Sequence, residues 1–488
     1  MEKMSEQTLV ETEEVIEPTQ YGNKQHNIQK NQISVNALKV CSGLREAGYE
    51  ALLVGGCVRD LLLEREPKDF DVATDAHPEE VKKVFRQTRL IGRRFRLAHV
   101  RFGREIIEVA TYRGQYDDDD EDDDEDMVVT AQEPETIQDG QATEHSVAEY
   151  GMILRDNVYG NQPEDALRRD FSMNALYYDP ASEVVIDYTG GVEDIQARII
   201  RVIGDSQRRF REDPVRMLRA VRFAAKLGFV LEPESLSLLP KLSHLLAYVS
   251  PARLFDEVLK LFHSGAAVTT FSMLRKNGLL QFLLPLSEEA LDIFEARDPD
   301  YRSIIITALA NTDKRVKQGK PVIPAFLFAA LLWESLCILR RDAEDRGMTA
   351  LDAFSKAEDS VLSEQCQCTV IPRRVSGPVR EIWGMQRKLE QRRPNQVRSL
   401  YQDKRFRAAY DFMQLRANIG ELDQSHVDWW DRWQSADEEQ RSAMCRESGS
   451  GQRAEHKPNK NRGNKGRPRR SRTRSRYRSR SKQQGTSN

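Results

Sequence analysis

The stretch from Ala51 to Gly114 constrains this chain more than any other. A short apolar run, Glu50 to Val54, breaks at Gly55-Gly56, a helical pattern follows over Val58 to Leu63, and Asp69 and Asp71 then arrive at one-residue spacing. A strand, a glycine turn and a helix start leave backbone N–H groups free where a phosphate can sit. Period-two alternation points both carboxylates to one face and Phe70 and Val72 to the other. Two adjacent carboxylates repel each other unless something neutralises them. Hard oxygen ligands of this kind suit Mg²⁺, which usually takes one or two protein carboxylates together with substrate phosphates. A metal pair holds the attacking and leaving oxygens of an in-line displacement. Alone, the diglycine is a tight turn and the Asp-x-Asp a solvated one; their succession points to phosphate chemistry.

Leu53-Val54-Gly55-Gly56-Cys57-Val58-Arg59-Asp60, followed by Pro67-Lys68-Asp69-Phe70-Asp71, resembles the head motif of the class II nucleotidyltransferases, the tRNA CCA-adding enzymes and bacterial poly(A) polymerases. Leu-Ile-Gly-Arg-Arg-Phe-Arg-Leu-Ala-His-Val, from Leu90 to Val100, is similar to the poly(A) polymerase branch, whereas CCA-adding enzymes tend to carry a shorter Gly-x-x-Phe-Gly-Thr pattern there. The resemblance implies an α+β chain: a small N-terminal mixed-sheet nucleotidyltransferase head, an all-helical neck and body, and disordered termini. It implies Asp69 and Asp71 as catalytic ligands of Mg²⁺, with Gly55, Gly56 and Arg59 touching the phosphates. Arg168-Arg169-Asp170-Phe171 resembles the second motif, in which the aspartate contacts the incoming ribose and supports the metal site. Two arginines beside an acid suit triphosphate and primer contact; a surface ion pair is the alternative. The Glu-Asp-x-x-Arg element is the family's base-recognising one and assigns Asp213 and Arg216, with Arg219 and Arg222 continuing at three-residue spacing. A solvated basic face is the alternative there.

Along the chain, residues 1–33 read as a disordered leader, 34–204 as the head, 205–265 as the neck, 266–440 as the body and 441–488 as a disordered basic tail. Ser34 caps a helix whose Ala37, Val40, Cys41 and Leu44 share a face, and Gly48 stops it. Alternation over Glu105 to Tyr112 places Glu108 among apolar neighbours, either as a further acid of the site or as a sheet carboxylate satisfied by Arg101 or Arg113. Whether Glu108 or Asp170 completes the metal site stays open at this level. Phe210 to Phe223 reads as one helix start, with acids at its positive end and Pro214 early. Trp333 reads as core rather than a base platform. Arginines from Arg373 to Arg407 make a basic helical body suited to an RNA backbone.

Charged residues make up 31% of the chain and mean hydropathy is −0.63, so part of the 488-residue length is expected to be unpacked. The net charge of −3 hides two opposed blocks. Asp117 to Asp126 is an unbroken acidic run inside a loop, 117–148, without apolar period. It reads as a self-repelling insertion, or as a competitor with RNA for the tail or for Arg93 to Arg96. Arg453 to Lys482 carries fourteen lysines and arginines against one glutamate, an electrostatic RNA tether and an expected contact for RNA-decay proteins. Six cysteines without repeated spacing are expected as reduced thiols in a cytoplasm. No window reaches the ~18 apolar residues a membrane span needs.

The resemblance implies a template-independent enzyme that adds AMP from ATP to RNA 3′ ends, most like a bacterial poly(A) polymerase. A tRNA CCA-adding enzyme shares the head motifs, but the arginine-rich segment and the tail favour a broad RNA substrate. An inactive RNA-binding adaptor has no reason to keep Asp69 and Asp71. Removing residues 448–488 should weaken RNA binding and flatten its salt dependence, each lost phosphate contact lowering the slope of log K against log salt by ~0.7. An unchanged slope in a salt titration of RNA affinity excludes the tether.

Overall fold

The computed structural model describes residues 17–92, 96–114, 145–147, 153–156 and 158–455. The acidic run, Arg93 to Phe95, residues 1–16 and the tail beyond Glu455 lie outside the described residues.

Local sequence chemistry builds the head as expected at its start. Ser34 Oγ accepts from the Asn36 and Ala37 amides at the N-terminus of α1 (Val35–Glu46), which buries Ala37, Val40, Cys41 and Leu44. The strands are β1 (Thr19–Tyr21), β2 (Ala51–Val54), β3 (Asp71–Thr74), β4 (Thr88–Ile91), β5 (Leu97–Phe102), β6 (Glu105–Thr111), β7 (His145–Val147), β8 (Ile153–Asp156), β9 (Leu176–Asp179) and β10 (Val184–Asp187). Eight of them form one sheet in the order β1-β10-β9-β2-β3-β6-β5-β4, while β7 and β8 pair separately. Within the eight-stranded sheet only β3 and β6 run parallel.

Period two divides each central strand between two apolar layers. Leu53 and Val72 enter the main core with the α1 residues, whereas Leu52, Val54 and Ala73 pack with Tyr112, Ala166 and Tyr177 on the opposite face. Ala166 belongs to α4 (Gln162–Leu167), which follows α2 (Gly56–Leu62) and α3 (Pro78–Val84). Asp71, in register with Val54, therefore sits on the α4 face of the sheet.

Beyond the sheet, α5 (Gly191–Ala197), α6 (Ser206–Glu212), α7 (Val215–Leu227), α8 (Pro233–Leu242) and α9 (Pro251–Phe262) form the neck region, and helices continue to Glu455. The main core runs without interruption from Ile28 in the head to Leu415 in the body; a second core gathers Trp429, Trp430 and Trp433 with Met385 and Leu389. No helix among the described residues is long and apolar enough to cross a membrane.

Four expectations are corrected. The leader does not extend to residue 33: β1 adds to the sheet edge against β10, and Ile28 and Ile33 are buried in the main core. The tail does not begin at 441, since a helix spans Glu438–Glu455. The neck is not all helical: β11 (Ile199–Ile200) pairs in parallel with β12 (Val230–Leu231) and ties it to the head. The helix expected across Phe210 to Phe223 is two, because proline pushes the residue before it out of helical geometry, and Asp213 is extended at φ −146°, ψ 94°.

Ile33→Ala should destabilise the protein by about 2–5 kcal/mol, the usual cost of emptying a buried aliphatic site. Chemical denaturation checks this, and an unchanged midpoint returns the segment to the leader.

Candidate active site

Strand register, not sequence proximity, assembles the acidic centre. Parallel pairing sets Asp71 of β3 beside Glu108 of β6, and antiparallel pairing sets Glu108 beside His99 of β5. Residues in register share a face, so the three side chains form one row. His99 Nε2 lies 3.2 Å from Glu108 Oε1, while Arg101, one of the two expected partners, donates to the Gly103 carbonyl. Asp69 precedes β3 rather than lying in it; its side chain is 74% exposed, 3.9 Å from Lys68. The Asp71 carboxyl is pushed up to about 6, chiefly by burial and then by the Glu108 charge, with Arg169 pulling down and Asp69 adding to the rise.

This donor set fits Mg²⁺. Asp71 and Glu108 side by side, with Asp69 two residues before Asp71, are hard oxygen donors of the kind Mg²⁺ takes together with phosphate and water. An excess of negative charge raising Asp71 is what a divalent cation relieves.

The glycine turn abuts the row. Gly55, at φ 77° before α2, takes a conformation that side chains rarely adopt. A Cβ there would stand 3.3 Å from Arg169 Nη1 and 3.5 Å from the Asn174 carbonyl. Arg59, expected on the phosphates, is only 4% exposed. Its guanidinium bonds Asp60 Oδ1 at 2.7 and 2.9 Å and Asn174 Oδ1 at 2.6 Å, beneath the turn. It braces the turn from inside.

Arg168 and Arg169 both engage Asp165 of α4, at 3.5 and 2.8 Å, and the Tyr177 hydroxyl donates to the same carboxylate. Burial alone would raise Asp165; the two arginines hold it low. Asp170 faces the neck rather than the acidic row: Oδ2 accepts from Arg219 Nε at 2.6 Å and Oδ1 from Asn174 Nδ2 at 3.2 Å. Burial opposes its ionisation, but Arg219 keeps its carboxyl below the usual range.

Asp213 and Arg216 are near one another without sharing a side-chain bond. Asp213 accepts from Arg253 of α9 at 2.7 Å, and Arg216 pairs with Glu212 at 2.7 Å, as does Arg209 at 2.8 Å. Because Asp213 lies before α7, it does not continue the helix face of Arg216, Arg219 and Arg222. Arg222 stacks 4.5 Å over Phe223, and burial, then Arg219, push it down to about 10.

His99, Asn174, Arg209, Glu212 and Arg253 escaped the sequence reading. Glu212 adjoins Asp213, and His99 follows from counting back across the β5–β6 hairpin; Arg253 and Asn174 offer no local signal. Several body arginines expected to face RNA are neutralised: Arg380 by Glu358 and Asp359, Arg398 by Glu438, Arg405 by Glu381 and Arg407 by Asp411. Arg373, Arg374, Arg387 and Arg393 are exposed. Trp333 is 2% exposed and core, its indole donating to Glu421 at 2.8 Å.

Comparison with known proteins follows this geometry. The Poly A polymerase head domain matches residues 51–201, the probable RNA and SrmB-binding site of polymerase A residues 228–291, and the polymerase A arginine-rich C-terminus residues 346–476. Poly(A) polymerase I of Salmonella typhimurium is 44% identical over 87% of each chain, and that of Haemophilus influenzae 42% identical over 94% of this chain and 95% of its own. The chain belongs to the poly(A) polymerase family. The CCA-adding enzyme of Geobacillus stearothermophilus is 35% identical over 51% of this chain and 54% of its own. A solved CCA-adding enzyme from Bacillus stearothermophilus in complex with CTP shares the fold, with TM-score 0.51 at 24% identity, covering 85% of this chain and 82% of that one.

A carboxyl raised by folding binds its proton more tightly when folded. Its stabilising contribution is complete below the ordinary aspartate value near 3.8 and is lost as pH rises through about 6. Asp71→Asn should therefore raise the melting temperature of metal-free protein at pH 8 by about 2 °C or more, with the difference gone near pH 4. A Tm ratio independent of pH contradicts the crowding of charge at Asp71.

Proposed function

We propose that this chain extends RNA 3′ ends by repeated transfer of AMP from ATP, releasing pyrophosphate and using no template. The observation that carries the reading is the Asp71–Glu108 pair beside the Gly55 turn, in a chain 42–46% identical to poly(A) polymerases over most of its length. Asp69 and Asp71 would hold Mg²⁺, with Glu108 next in the row. When bound, the metal supplies charge neutralisation for the RNA hydroxyl and the triphosphate.

The chain's own residues do the rest. Gly55 and Gly56 let the triphosphate approach the backbone closely, and Arg169 Nη1, 3.3 Å from where a Cβ on Gly55 would stand, offers a cation beside the turn. Arg59 holds the turn in shape. The RNA 3′ oxygen attacks the α-phosphorus as the bond to pyrophosphate breaks, so no covalent enzyme intermediate forms. Asp213 and Arg216, pre-set by Arg253 and Glu212, present a donor and acceptors to the adenine edge. Asp170 keeps the neck aligned through Arg219 and stands closest to a ribose role through that alignment. Arg222, stacked on Phe223, extends the cationic face. Arg168 supports Asp165. RNA backbone contacts come from Arg373, Arg374, Arg387 and Arg393 and from the basic tail, which also offers a surface to RNA-decay proteins. The setting is cytoplasmic.

Incubation with an oligo(A) primer, Mg²⁺ and single nucleotides tests this. A long ladder with ATP alone is expected; two C residues and one A on a truncated tRNA would move the chain to the CCA-adding class. Asp69→Ala and Asp71→Ala should each lower the rate about a hundredfold or more while RNA affinity stays near native. More than about a hundredth of the native rate in either variant contradicts the assignment.

A further inference from the structure

Between the phosphate turn and the neck stands one uncharged side chain. Asn174, 7% exposed, accepts from Arg59 Nη1 through Oδ1 at 2.6 Å and donates through Nδ2 to Asp170 Oδ1 at 3.2 Å. Asp170 Oδ2 in turn accepts from Arg219 Nε at 2.6 Å. A guanidinium only donates and a carboxylate only accepts, so the group between them must do both. A side-chain amide is the fitting choice.

The row has a ligand-facing feature at each end. Arg59 Nη2 lies 3.6 Å from where a Cβ on Gly56 would stand, directly under the turn that receives phosphates. Arg219 stands one helical turn after Arg216 on α7, and the Glu257 charge acts on it from α9. Signs alternate along the way: Asp60, Arg59, the Asn174 amide, Asp170, Arg219, Glu257. Buried at Arg59, Asn174 and Glu257 and partly covered between them, such a row transmits a change in charge at one end more strongly than the same groups would in water.

We propose that Asn174 is a positioning residue that couples the triphosphate end of the nucleotide site to its base-reading end; the inference rests on the reading that the neck recognises the base. A triphosphate seated on the Gly55-Gly56 turn presses through the turn on Arg59 beneath it, Arg59 shifts the amide, the amide shifts Asp170, and Asp170 sets the reach of Arg219 and the α7 face beside it. Phosphate binding and base choice are then one event.

The test is a double-mutant cycle on the full chain, reading equilibrium dissociation constants for ATP and for CTP. Arg59→Lys and Arg219→Lys are made singly and together, in the native chain and in an Asn174→Asp background, where a carboxylate still accepts from Arg59 but repels Asp170. In the native chain the pair should be non-additive by about threefold to tenfold, and Arg59→Lys should by itself narrow the preference for ATP over CTP. In the Asn174→Asp background the two effects should add to within about twofold. Asn174→Leu, similar in size and unable to bond either neighbour, is a second background with the same expected loss, and thermal melts identify whichever variant is folded. Additivity in the native chain, or coupling undiminished in either background, overturns the relay. An ATP preference untouched by Arg216→Lys overturns base reading by the neck, and the relay with it, whereas a preference changed by Arg216→Lys but not by Arg59→Lys overturns the relay alone.

Discussion

Parallel pairing of β3 with β6 is the constraint on which the site depends. Parallel neighbours need a crossover, and here the chain between them supplies α3, β4 and β5 before returning as β6. The return sets Glu108 against Asp71, and a slip of one residue would turn Glu108 to the opposite face. The neighbouring strand then brings His99 to Glu108. A carboxylate raised to about 6 by burial and a like charge is a destabilised arrangement without a cation, and it persists because apolar layers on both faces of the sheet fix the register.

Elsewhere the site keeps its charges paired. Asp165 is shared by Arg168, Arg169 and Tyr177; Glu212 by Arg209 and Arg216; Asp170 by Arg219 and Asn174. Losing one partner of a buried pair leaves the other uncompensated, so these pairs hold α4, α6 and α7 in fixed relation to the sheet. The contrast separates two kinds of acid: Asp71 is raised by burial and by the like charge of Glu108, while the paired ones set geometry. Arg59 belongs with the second group despite its place in the glycine motif.

The body repeats this division on a larger scale. Of the arginines from Arg373 to Arg407 that look in sequence like a uniform RNA-binding face, Arg380, Arg398, Arg405 and Arg407 are bound to carboxylates, Arg405 to Glu381 of the helix Arg373–Gln391. Charge counted along a chain overstates the charge available to a ligand, because the opposing acids arrive from distant helices.

Sequence by itself determined what depends on local geometry. The Ser34 cap, the face of α1, the Gly55-Gly56 break and the carboxylate of Asp71 at a strand follow from capping, periods of 2 and 3.6, and backbone freedom, all set within a few residues. The break before Pro214 reads in sequence as the start of one helix, although its cause, the proline acting on Asp213, is local. Tertiary structure alone decided that Glu108 meets His99, that Asp170 turns to Arg219, that Asp213 is held by Arg253 and that Arg59 is covered. Each of those partners is at least nine residues away and the neck partners about forty or more. Which side chains meet over such separations is fixed by strand register and helix packing, quantities that no local period encodes.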